Sequence, residues 1–333
     1  MMAWLELGGC LLVIGFAGFQ LSRYGDAIAE KGGLSRSWVG LALIAVVTSL
    51  PELATGVSSV SVAGAPDIAV GDVLGSCVFN LLILVVLDFL YRREPVYTRA
   101  RQGHVVSAGF GTALIGFAGF NLLLYREPAA PVLGYVGIYS PLIVLLYALA
   151  VRTLFRYERE QLSRFVEEET AHPDLTLKGA IFGYVVAGLV VVAAGTWLPF
   201  VGEQLAVQMG WTQSFVGTLL IAAVTSTPEV VVTVAALRLG AVDMAMGGLL
   251  GSNLFNIVIL GIDDAFYAPG PLFAGVSNVH VASAFSAMMM NGIATIGLML
   301  RPKSRVVRTV SWVSLFLLAV YLLNTLLLYL DAG

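Results

Sequence analysis

The sequence predicts an all-α integral membrane protein of ten transmembrane helices, arranged as two inverted five-helix repeats. Three observations predict it. Of 333 residues, 58% are Ala, Val, Ile, Leu, Met, Phe, Trp, Tyr or Cys and 12% are Asp, Glu, Lys or Arg, against roughly 45–50% and about 25% in soluble domains. Apolar stretches long enough to span a bilayer recur along the whole chain, and the second half repeats the first. Ten spans of about 22 residues use roughly 220 positions and leave loops and little else, so a soluble catalytic domain has no room.

The stretches run over residues 4–22, 38–62, 68–90, 104–124, 132–153, 177–199, 213–237, 242–262, 273–299 and 309–330. The first reads as a helix and not as a signal peptide. No Lys or Arg precedes it, and no small-residue cleavage pattern comes before Gln20, Ser22 and Arg23. Residues 155–170 place Phe155, Leu162, Phe165 and Val166 at helical spacing among charges, which extends the fifth helix along the cytoplasmic surface. Glu167, Glu168 and Glu169 read as its solvated end.

Basic residues set the orientation, because loops rich in Lys and Arg stay on the cytoplasmic side. Loops that follow odd-numbered helices hold 17 of the 18 Lys and Arg residues, and only Arg126 lies on the other face. Both termini are therefore expected outside the cytoplasm, in the cell (inner) membrane. With a net charge of −3 and its cations confined to loops, the chain has no basic face for nucleic acid. Cys10 and Cys77 lie in apolar stretches and read as free thiols.

The repeat is direct. Val39 to Glu52, ending Thr48-Ser49-Leu50-Pro51-Glu52, returns 177 residues later as Val216 to Glu229, ending Thr225-Ser226-Thr227-Pro228-Glu229. Asp67 to Asn80, with Gly75-Ser76-Cys77-Val78-Phe79-Asn80, returns 176 residues later as Asp243 to Asn256, with Gly251-Ser252-Asn253-Leu254-Phe255-Asn256. Residues 1–154 form the first five-helix repeat, 155–176 a cytoplasmic linker and 177–333 the second repeat. Five is odd, so the second half enters the membrane upside down, an architecture of secondary transporters with a midplane site flanked by interrupted helices.

Glu52 and Glu229 stand deep in their apolar stretches, where an ionised carboxylate costs several kcal/mol unless paired. No Lys or Arg lies at matching depth, so the expected partner is a soluble cation; the alternative is a protonated Glu bonded to a neighbouring helix. Pro51 and Pro228 each remove an N–H and break the helix just before the glutamate. Carbonyls near Ala45 and Ala222 through Thr48 and Thr225 are thereby freed toward a cavity or ion. Hydroxyls of Thr48, Ser49, Thr225 and Ser226 stand beside them. Ser76 and Asn80, and Ser252 and Asn256, are spaced four apart and share a helix face. This all-oxygen set suits hard cations such as Ca2+ and Na+ over zinc or copper.

The paired Thr-Ser-x-Pro-Glu and Gly-Ser-x-x-Phe-Asn blocks resemble the two alpha repeats of the cation/calcium exchanger superfamily, sodium/calcium exchangers in particular. The resemblance implies antiport of calcium for sodium by alternating access, with no cofactor and a monomer sufficient for transport. It implies Ca2+ held by Glu52, Asn80, Glu229 and Asn256. Sodium would be held by Thr48, Ser49, Ser76, Thr225, Ser226 and Ser252 with the same glutamates and carbonyls at Ala45 and Ala222. It implies too that the first and sixth helices slide across the bundle, which suits the run Gly8, Gly9, Gly15 and Gly18. Departures are Val47 and Val224 where Gly is usual, Thr227 for the common Leu, and Cys77 and Asp72 for common asparagines. Asn256, an aspartate in some members, argues against a potassium-cotransporting branch.

Proton coupling with the same two glutamates is the near alternative; Thr-Ser before Pro-Glu favours sodium. A cation channel would form rings around a symmetry axis. An intramembrane hydrolase needs a nucleophile with a base, and no Ser-His or His-Glu pair recurs at span depth, so no enzymatic activity is expected. Asp72 reads either as a solvated residue or as lining an access path. Asp88, Asp263 and Asp264 read as interfacial, and His104, His172 and His280 as edge residues without matched partners.

Overall fold

The computed structural model describes residues 2–31, 45–99, 101–162, 175–238, 241–306 and 309–332. Helix α1 (Met2–Lys31) continues past residue 22, where its apolar stretch ends. Residues 45–48 are helical, Ser49 interrupts with φ −87° and ψ 12°, and α2 (Leu50–Ser58) resumes with Pro51 in its first turn and closes on a π-helical turn, Ser59–Ala63. Then come α3 (Pro66–Leu90), α4 (Gln102–Leu124), the hairpin β1 (Val132–Leu133) and β2 (Val136–Gly137), and α5 (Tyr139–Leu162). The second half holds α6 (Leu177–Met209), α7 (Gln213–Thr225) with a π-helical segment over Val216–Ile221, α8 (Thr227–Arg238), α9 (Val242–Phe266), α10 (Val279–Leu300) and α11 (Trp312–Ala332).

Among the described residues eight helices are long and apolar enough to cross a membrane, and α7 with α8, bent by 41° at Ser226, makes a ninth. The remaining stretch, 38–62, is described only from Ala45 onward, and residues 163–170 of the proposed surface extension also lie outside the described residues. Three ends differ from the apolar stretches. The fifth span starts at Tyr139 because Gly134, at φ +68°, folds residues 132–137 into a hairpin. The ninth starts at Val279 because Pro271 opens a short 3-10 turn, Leu272–Ala274, ahead of it. The sixth runs through Pro199 to Met209. Proline leaves the carbonyl four residues back without its donor, and that carbonyl, Gly195 O, accepts the Thr55 hydroxyl at 3.1 Å instead.

Helices α3 and α9 are enclosed on nearly all sides, whereas α1, α6 and α11 turn Leu, Val and Phe side chains outward, as lipid-facing helices do. The N-terminus of α3 bonds to the loop that follows α9, and the N-terminus of α9 to the start of α4, which follows α3. The two central helices therefore run in opposite directions. Helix α7 presses on α3 through glycine: a methyl at Gly71 would fall 3.0 Å from Thr218 N, and one at Gly217 2.9 Å from Ile68 O. Small residues allow this backbone approach, and it delivers the α7–α8 break to the middle of α3.

Candidate cation site

Each break places a carboxylate inside the bundle. Glu52, in the first turn of α2, is fully buried, and Glu229, in the first turn of α8, is 3% exposed. Both sit at helix N-termini, where the helix dipole favours negative charge. Glu52 Oε1 accepts the Ser226 hydroxyl at 3.4 Å, while Oε2 and both Glu229 oxygens have no hydrogen-bond partner. No Lys, Arg or His forms an ion pair with either carboxylate among the described residues.

The hydroxyls named by the sequence meet across the repeats. Thr48 Oγ1 and Ser252 Oγ are 3.1 Å apart, and the equivalent pair, Ser76 Oγ and Thr225 Oγ1, 3.4 Å. Ser226 donates to Ser76 at 3.0 Å, and the Ser49 hydroxyl is buried and unpartnered. Ala45 O and Ala222 O keep helical partners, accepting Ser49 N at 3.2 Å and Ser226 N at 3.0 Å, with the Thr48 and Thr225 hydroxyls at 3.4 and 3.3 Å. Removal of a donor by Pro51 and Pro228 falls four residues back, on Val47 and Val224. Asn80 Nδ2 donates to Asn253 Oδ1 at 3.0 Å, leaving Asn80 Oδ1 without a partner; both polar atoms of Asn256 are unpartnered.

So many buried oxygens without donors are rare in a folded protein. A desolvated carboxylate with no donor calls for a cation or a proton. The residue types present are those that hold hard cations.

Several polar residues fall where the sequence reading did not put them. Asp72 is fully buried, and Thr225 donates to its Oδ1 at 2.8 Å, which excludes the solvated reading. Asp88, Asp263 and Asp264 are also fully buried: the loops after α3 and α9 fold back over Asp88 and Asp264, and α2 lies against Asp263 at Gly56. Asp88 accepts Val96 N, Ser311 N and the Ser314 hydroxyl at 2.7–2.9 Å. Asp264, its equivalent 176 residues on, accepts Gly137 N, the Tyr139 hydroxyl and Leu272 N at 2.7–2.8 Å, and Ser140 as well.

His104 and His280, 176 apart, are matched after all: His104 Nε2 lies 3.1 Å from Asp243 and His280 Nε2 2.9 Å from Asp67. Each histidine of one repeat meets the aspartate that opens the other repeat's central helix. His172 lies outside the described residues. Asn253, which steers Asn80 and also donates to Cys77 O at 3.2 Å, was signalled only by differing from Cys77 at a repeated position. Cys10 and Cys77 are free and buried.

Broken helices around a buried oxygen site, in a bundle of membrane-spanning helices, define an integral membrane protein of transporter type. The family model described as sodium/calcium exchanger protein matches residues 2–165 and 179–330. The chain belongs to that sodium/calcium exchanger family. It is 26% identical over 271 residues to inner membrane protein YrbG of Escherichia coli K12, covering 80% of each chain. It is 29% identical over 297 residues to sodium/calcium exchanger MaX1 of Methanosarcina acetivorans, covering 79% of this chain and 82% of that one. In fold it is similar to the sodium-calcium exchanger NCX_Mj, with a TM-score of 0.63 over 97% of both chains at 19% identity. It is similar also to the H+/Ca2+ exchanger CAX, with a TM-score of 0.72 over 98% of this chain and 84% of that one at 16% identity.

Proposed function

We propose that this chain is a secondary antiporter that exchanges calcium for sodium across a cell membrane by alternating access. The observation that carries this is the pair Glu52 and Glu229: equivalent, buried, short of donors and, among the described residues, without a basic partner. Two carboxylates balance one Ca2+ or two monovalent ions, so the two cargoes compete for the same charge. Calcium takes Glu52, Asn80, Glu229 and Asn256. Sodium takes the glutamates with Thr48, Ser49, Ser76, Thr225, Ser226, Ser252 and carbonyl oxygen at Ala45 and Ala222. Sodium is preferred to protons because protons need no such hydroxyl ring.

Residues 1–154 and 177–333 act as inverted repeats, with 155–176 as cytoplasmic linker and both termini outside. Movement in this reading belongs to α1 and α6. Gly18 of α1 lies where a methyl would come 2.5 Å from Pro228, and Gly195 of α6 where one would come 3.0 Å from Pro51 O. Each outer helix rides on the break of the opposite repeat, which supports sliding as the way access alternates. Gly8 and Gly9 meet nothing within 4 Å and are not needed for it.

The test is uptake of radiolabelled Ca2+ into sodium-loaded liposomes containing the protein. Uptake that needs internal sodium and is lost in Glu52→Gln and Glu229→Gln is expected. Uptake that follows a proton gradient and ignores sodium would replace the coupling ion. No calcium uptake with either gradient would remove calcium as the substrate.

A further inference from the structure

The Asp263-Asp264 pair near the end of α9 divides into a residue the fold explains and one it does not. Asp264 is saturated with donors. Asp263 is equally buried, yet neither of its oxygens has a hydrogen-bond partner. Its carboxylate lies over the α2 backbone at Gly56, where an added methyl would stand 2.6 Å from Oδ1. Gly56 follows Glu52 by one helical turn, so Asp263 sits about 6 Å along the helix axis beyond the central carboxylate. Asn256 precedes Asp263 by two turns on α9, which keeps both on one face. Asp72, with Oδ2 also unpartnered, stands on the same side of the centre, one turn before Ser76 and near the α3 N-terminus.

The other side of the centre lacks all of this. The positions equivalent to Asp263, Gly56 and Asp72 are Leu87, Thr233 and Gly248. Leu87 and Thr233 help line a groove of about 220 Å³ that is otherwise apolar, with Val230 and Val234 and the outward-facing Val86 and Leu90. One side of the central site therefore carries two buried acids, and the equivalent positions on the other side carry none.

We propose that Asp263, backed by Asp72, is a further subsite for the transported hard divalent cation, on one side of the membrane only. This rests on the calcium reading above. An ion leaving water on that side exchanges part of its hydration for the Asp263 carboxylate before it reaches Glu52. Asp263 contributes one carboxylate and Asp72 another that already accepts the Thr225 hydroxyl, fewer oxygen ligands than a calcium ion takes when fully held, so the subsite passes the ion on. Leucine at the equivalent position gives no such step, and the two faces differ in the calcium concentration that half-saturates them.

The experiment measures sodium-driven Ca2+ uptake in right-side-out and in everted membrane vesicles, so that each face is loaded in turn. Asp263→Asn, which keeps shape and removes charge, is expected to raise half-saturating Ca2+ about tenfold at the face to which the α9 C-terminus opens, with no change at the other. Asp263→Leu with Gly56→Thr copies the opposite half and is expected to do the same. Leu87→Asp is expected to lower half-saturating Ca2+ at the opposite face. An unchanged value at both faces in Asp263→Asn, as a proton-carrying acid would give, or an equal shift at both, overturns the subsite while leaving the antiporter intact. A wild-type chain that moves no Ca2+ in either vesicle overturns the parent reading and the subsite with it. Detergent-extracted yield and monodispersity separate misfolded variants, and Leu87→Asp then carries the decision.

Discussion

The ends of the two central helices make the most instructive comparison in the molecule. At the C-termini of α3 and α9 the same device appears twice: a buried aspartate, Asp88 or Asp264, accepts one backbone N–H from the loop behind it and further backbone and hydroxyl donors from the opposite half of the chain. At their N-termini Asp67 and Asp243 each meet a histidine of the other repeat. One residue before the C-terminal aspartates the likeness stops, with Leu87 in one half and Asp263 in the other. The duplicated aspartates at these helix ends find partners for their polar groups and so hold the fold, whereas the duplicated glutamates at the centre and the unduplicated Asp263 keep oxygens without partners.

The sharpest way to break this comparison is at the centre, where the halves should be equivalent. Glu52→Gln and Glu229→Gln should each reduce exchange about a hundredfold or more, since truncating a buried charge pair costs several kcal/mol. Liposome flux that survives in one variant would make the centre one-sided. Next in size is the framework. Asp264→Ala leaves more buried donors stranded than Asp88→Ala, so it should destabilise the detergent-solubilised protein by about 3 kcal/mol or more and Asp88→Ala by somewhat less. Thermal unfolding that ranks them the other way would show that the loops behind them are not equivalent.

Smaller effects sharpen the same question. Thr48→Ala and Thr225→Ala should raise the sodium concentration for half-maximal exchange by about three- to tenfold, the worth of one hydrogen bond. Thr225→Ala should have the larger effect, because Thr225 also donates to Asp72. Smallest, His104→Gln and His280→Gln should each cost about 1 kcal/mol of stability with transport retained. His280, fully buried beside Asp67 and Ser214, should be the more sensitive of the two in the same unfolding assay.

Much of this is legible in the sequence. Proline four residues after Val47 and Val224 located both breaks, and matching Thr48 with Thr225 and Ser76 with Ser252 named the hydroxyls that meet. What escaped has a common physical origin. Distance from the end of an apolar stretch is a poor measure of burial when a hairpin or a 3-10 turn folds back over the helix end, as happens at Asp264 and Tyr139. Asp88 and Asp264 were misplaced for that reason, and Asp263 because α2 packs its backbone against it at Gly56. The histidines escaped because their partners are not each other. Each pairs with the other repeat's aspartate, and a crossed relation leaves no mark on the local spacing of either.

The crossed contacts bear on assembly as well. Thr48 meets Ser252, Ser76 meets Thr225, His104 meets Asp243, Asp67 meets His280, and α1 and α6 each lie on the opposite break. These polar ties of the core join one half to the other, so a half inserted alone would hold unsatisfied groups in hydrocarbon. Synthesis must therefore hold the first half of the chain in a provisional state until the second half arrives.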